Sequence, residues 1–233
     1  MTTTIKDQLK DKMQLMLNRY EKFGLQDAPL YKLLQQWIAD DKWLDRVVET
    51  ITKVRNSEKI FDVVGQMTKD EADNRLMTMF AEYDTAIRLT SWAKDFFGNF
   101  TDAEYLPRSN KRQPDFKVWN NDKVMPVETK TFKGSDDIEA KKFYAKVIKK
   151  VRDDALPQLA SFYEDTPFER GIIFIWTQQH VKANAVVHNS YLELRTAIQA
   201  EIKTDDLAFD TQIIIMFSNP LDLWDFDLYG KNK

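Results

Sequence analysis

Two short, almost unbroken apolar runs, at 171–176 and 212–217, constrain this chain more than any other feature. A strand with one wet face alternates polar and apolar residues, whereas a run that is apolar throughout reads as a strand buried on both faces. Such strands need helices to cover them, and the intervening sequence supplies the patterns. A helix is predicted from about 138 to 163, with Pro157 kinking or dividing it. Another is predicted from about 190 to 203. Upstream, three short runs rich in β-formers occupy 103–106, 115–119 and 124–132, and Asn120, Asn121 and Asp122 mark a hairpin turn between the last two.

The first part of the chain reads as helix. Leu9, Met13, Met16, Leu17 and Tyr20 recur at helical spacing through 5–23, and Gly24 follows as a stop signal. Further helices are predicted at 30–39, 43–54 and, briefly, 59–64. Thr68, with Glu71 three positions on, has the form of a capping box opening a long helix that runs to about Phe97. From residue 68 the order is therefore helix, three strands, helix, strand, helix, strand. That order implies an α/β sandwich with a mixed sheet. The expected division is an appended N-terminal helical region at 1–66 and an α/β domain at 67–233.

Composition narrows the function classes. The chain of 233 residues has no cysteine, which excludes a disulfide scaffold, a cysteine zinc site and a thiol nucleophile. His180 and His188 are the only histidines and do not make a zinc site. With six glycines and no phosphate-loop motif, a nucleotide cradle is not expected. Residues 1–13 lack the apolar stretch of a secretory signal, and no run is long enough to span a membrane, so a cytoplasmic setting is expected. Charge is uneven. Between Arg108 and Arg152 there are 13 Lys or Arg against 6 Asp or Glu, a balance of +7 in a chain of net charge −3, so the flanks together carry −10. A local positive field suits a polyanion. A lysine-rich solvated helix explains part of it, since Lys142, Lys146, Lys149 and Lys150 share a face opposite Tyr144, Val147, Ile148 and Val151.

The segment that carries chemistry is Pro114-Asp115, twelve residues, then Glu128-Thr129-Lys130. Side chains alternate along a strand, so Glu128 and Lys130 project to one side and Thr129 to the other. The hairpin turn brings Asp115 toward Glu128. Two converging carboxylates repel unless a cation lies between them, and hard oxygen donors suit Mg²⁺ or Mn²⁺.

This pattern, on a hairpin between two helices, resembles the PD-(D/E)XK nuclease superfamily. The resemblance spans roughly 68–217 and implies a restriction-endonuclease-like core, a mixed sheet flanked by helices. It implies a Mg²⁺-dependent endonuclease acting on DNA, in restriction, phage defence or repair. Asp115 and Glu128 would hold the metal, the Thr129 carbonyl would add a donor, and Lys130 would serve the attacking water or the developing charge. The family often adds an acid from the preceding helix. Of Glu71, Glu82 and Asp84, Glu82 is favoured. Glu71 is accounted for by the capping box, and Asp84 by a surface pair with Arg88 four residues on. Arg108, Lys111, Arg112, Lys133 and Gln178 are the expected phosphate or nucleic-acid contacts. Trp37, Trp43 and the aromatic tail read as core or subunit contact, and a homodimer through the N-terminal helices fits nucleases that cut two strands. The alternative is a non-catalytic nucleic-acid- or protein-binding module on the same fold.

Overall fold

The computed structural model describes residues 4–27, 29–62, 69–91, 100, 102–106, 113–132, 139–177, 187–203, 207–217 and 223–230. The chain divides into two compact units, Met1–Pro107 and Arg108–Lys233. The sequence reading drew its line at 66/67, but α4 (Lys69–Ser91) and β1 (Asp102–Tyr105) group with the N-terminal helices. Aromatic contacts account for this. The ring of Trp37 of α2 (Pro29–Ala39) lies 4.9 Å from those of both Phe80 and Tyr83 of α4, tilted against the first and edge-on to the second, and Phe61 lies 5.7 Å from Tyr83.

The first unit begins with α1 (Ile5–Lys22), opened by a capping box in which Thr4 and Asp7 satisfy each other's backbone N–H groups. Its buried residues are Leu9, Met13, Met16, Leu17 and Tyr20, the stripe expected from spacing. The chain leaves α1 through Gly24 at φ +68, where any other residue would be strained. Asp40 caps α3 (Asp41–Lys53) by accepting from Lys42 N, and a short 3₁₀ turn follows at Ser57–Phe61. Trp37 is buried and Trp43 is 38% exposed. The Thr68–Glu71 capping box lies outside the described residues.

The second unit contains a sheet in the order β2 (Phe116–Asn120), β3 (Lys123–Phe132), β4 (Arg170–Thr177), β5 (Asp210–Phe217) and β6 (Leu223–Leu228). The outer pairings are antiparallel and the two inner ones are parallel. Asn121 takes φ +55 in the β2–β3 turn, a conformation asparagine tolerates. β4 is buried along almost its whole length, and Ile213–Ile215 of β5 are 1% exposed or less, as the apolar runs require. Each isoleucine so buried contributes about 1.5–3 kcal/mol.

Three helical pieces cover one sheet face: α5 (Ala140–Lys149), α6 (Leu156–Asp165) and α7 (Val187–Glu201). Between α5 and α6 the helix widens into a π segment, Lys150–Ala155. Pro157 explains it. A proline in an α-helix has no N–H to donate and clashes with the carbonyl four residues back, here that of Asp153, and a wider turn relieves both problems. Phe132, Ile173, Ile175, Ile213 and Ile215 form one core with Phe143, Val147, Val151, Leu159, Phe162, Leu194 and Ile198 of the helical layer. The lysine-rich face of α5 and the start of the π segment is solvated, with Lys142 and Lys150 paired to Glu139 and Asp154. No helix among the described residues is long and apolar enough to cross a membrane.

Candidate functional site

The β2–β3 register sets the site. Phe116 pairs with Val127 and Lys117 with Pro126, so one step beyond the ladder Asp115 stands opposite Glu128. Asp115 also replaces the next ladder bond, its Oδ2 accepting from Thr129 N at 2.7 Å. A carboxylate held by a backbone N–H is fixed in place as no exposed loop acid would be.

Glu128 and Lys130 lie two apart on β3 and share a face. Their partners on β4 are Ile173 and Ile175, so they lie on the side that carries α5, α6 and α7. Glu128 is 1% exposed, and its Oε1 lies 2.5 Å from the Lys130 ammonium, whose side chain is 16% exposed. The two are therefore not an exposed surface pair. Burying both charges is costly unless they are paired and hydrogen-bonded. Lys130 also donates to Gln158 Oε1 on α6, and Gln158 Nε2 donates to the Gln113 carbonyl at 3.4 Å.

The donor set fits a hard divalent cation in kind. Asp115 is bonded to the main chain of Thr129, the residue next to Glu128, and the Thr129 carbonyl lies between Glu128 and Lys130 in sequence. Among the described residues no group of three or more Asp, Glu, His or Cys is placed to hold a metal. A cation at Asp115 and Glu128 would therefore keep much of its water, as Mg²⁺ characteristically does.

Arg108, Lys111, Arg112, Lys133 and Gln178 lie outside the described residues. Glu82 belongs to the first unit. It is fully buried, accepts from the Tyr105 hydroxyl at 2.9 Å, and has Arg75 Nη1 3.7 Å from Oε1. The cation that a buried carboxylate requires is thus supplied there by an arginine. Asp84 and Arg88 form the expected pair at 2.7 Å, but Arg88 is buried rather than on the surface. Burial pushes the Asp84 carboxyl above the ordinary carboxylate range, with Arg88 pulling the other way.

Two residues of this face were missed by sequence reasoning. Gln158 reads as an ordinary polar position in a helix, and only its distance from the proline hints at a special orientation. Lys117 shares the face of Asp115 and Glu128, with its ammonium 5.0 Å from the centre of the Phe162 ring. No family model matches the chain, and no curated protein or solved structure matches it.

Proposed function

We propose that this chain is a divalent-metal-dependent nuclease that hydrolyses phosphodiester bonds of DNA, on a restriction-endonuclease-like fold. One observation carries the reading: Asp115 is bonded to the main chain of Thr129, whose two neighbours are Glu128 and Lys130, paired to each other at 2.5 Å. The hairpin spacing accounts for bringing the three residues together, but it does not account for the burial of the Glu128–Lys130 pair. Nor does stability alone favour it, because apolar residues would fill a buried strand position more cheaply.

Asp115, Glu128 and the Thr129 carbonyl would hold Mg²⁺ or Mn²⁺. When bound, such an ion polarises a phosphoryl oxygen and acidifies its water. The protein groups supply the rest. The Thr129 N–H orients the Asp115 carboxylate, and Glu128 is locked by its burial. Lys130 donates to both Glu128 and Gln158, which favours a charge-neutralising role at the phosphate over that of a base. Restriction or phage defence is the leading setting, followed by repair.

The test is incubation of the protein with supercoiled, linear and single-stranded DNA, and with RNA, in Mg²⁺, Mn²⁺ or EDTA. The expected result is metal-dependent cleavage of DNA, lowered about 100- to 1000-fold in Lys130→Ala, the loss typical of removing one charge-stabilising donor. Cleavage undiminished in Lys130→Ala would remove the assignment of this site.

A further inference from the structure

The nuclease reading leaves Gln158 without a role, yet its side chain makes two contacts that join separate parts of the site. Its carbonyl oxygen accepts from the Lys130 ammonium, and its amide nitrogen donates to the main chain of Gln113, two residues before Asp115. One amide therefore ties the ammonium to the segment that delivers the opposing carboxylate. The tie has a rigid base. Gln158 follows Pro157 in the first turn of α6, directly after the π segment, and Leu156, Leu159 and Phe162 anchor that helix in the core.

The choice of side chain also has a chemical reason. Lys130 already faces one buried carboxylate, and a second, Asp115, is bonded to the main chain of Thr129 beside it. A second acid on α6 would add negative charge where a phosphate must approach, whereas an amide accepts the hydrogen bond without adding charge. An ammonium has three N–H groups. Glu128 and Gln158 each take one, which leaves the third to be aimed by the other two.

We propose that Gln158 is a positioning residue that aims the Lys130 ammonium and couples it to the Asp115 segment. The inference rests on the nuclease reading, and the experiment keeps the two separable. Protein labelled with ¹⁵N-lysine is observed through its side-chain ammonium signals, with Lys130→Arg assigning the Lys130 signal; an ammonium held by Glu128 and Gln158 exchanges protons slowly enough to be seen. Gln158→Met keeps the length and apolar stem but neither polar atom. Gln158→Glu keeps an acceptor for Lys130 and loses the donor to Gln113. The Lys130 signal is expected to vanish in Gln158→Met and to persist in Gln158→Glu. In cleavage assays Gln158→Met should lower kcat about 10- to 100-fold, the scale of a misplacement near 1 Å, with KM within about twofold. A Lys130 signal in Gln158→Met identical to wild type overturns the proposal, as does a loss expressed in KM alone. A wild-type protein that cleaves no polynucleotide, with the signal still dependent on Gln158, removes the nuclease reading and leaves the tie standing.

Discussion

Replacing Lys130 with methionine tests whether the buried pair on β3 is a site or a structural bond. The substitution keeps the length and apolar character of the stem and removes the ammonium. Glu128, 1% exposed, would then have lost the cation paired to its Oε1. Removing one partner of a buried pair costs about 3–5 kcal/mol. Lys130 is 16% exposed, so water reaches the vacated position and the lower end, about 3 kcal/mol, is expected. In the double variant Glu128→Gln with Lys130→Met no buried charge is stranded, and its cost should fall within about 1 kcal/mol of wild type. The coupling between the positions is then about 2–3 kcal/mol, well above the additivity error of a few tenths. Hydrogen exchange of the β3 and β4 amides reports this unit directly. In EDTA those amides should exchange about 100-fold faster in Lys130→Met. The second arm adds Mg²⁺. If Asp115 and Glu128 hold the ion, saturating Mg²⁺ at about 100 times its Kd restores about 2.7 kcal/mol. Costs that simply add across the two positions would refute the buried-pair argument. Coupling without any Mg²⁺ effect would leave the pair a structural bond and refute the metal site.

Three further expectations concern other parts of the chain. A Cβ on Gly230 would lie 2.7 Å from the Phe209 carbonyl oxygen and 2.8 Å from that of Leu207, whereas at Gly171 the nearest atom is a Leu159 methyl at 2.9 Å. Backbone yields less than a side-chain end, so Gly230→Ala should cost about 1–3 kcal/mol and Gly171→Ala less, measured by urea unfolding. Tyr105→Phe removes the hydroxyl that donates to the fully buried Glu82, and should lower the stability of the first unit by about 1–3 kcal/mol. Asp84 has its carboxyl raised by burial, so the folded state binds its proton more tightly than the unfolded chain. That contribution is present in full below the unfolded carboxylate value and is lost as pH rises through the folded one. Melting temperatures should therefore show wild type gaining on Asp84→Asn as pH falls through the carboxylate range; a difference flat with pH would contradict the raised carboxyl.

Local pattern alone was enough to read most of the regular structure. Side chains alternating on β3, asparagine in the turn and nearly continuous apolar runs in β4 and β5 are consequences of strand geometry that nearby residues decide. Pro157 announced a broken helix for the same reason, although the π form of the break was not legible. Asp115, Glu128 and Lys130 were readable because a two-residue hairpin turn sets their register without help from the rest of the fold. What escaped depends on elements distant in sequence. β6 alternates apolar and acidic residues as a half-wet strand does and was still read only as an acidic, aromatic tail; Asp225 and Asp227 find their partners, Gln212 and Arg170, only once β5 and β4 lie alongside. Gln158 meets Lys130 across 28 residues, and Glu82 meets Tyr105 across 23. Such contacts depend on how a helix packs on a strand, which sums many weak apolar terms over the whole unit. The sequence by itself determined which residues of the hairpin share a face; the tertiary structure decided which of the charged ones are buried, and what each is bound to there.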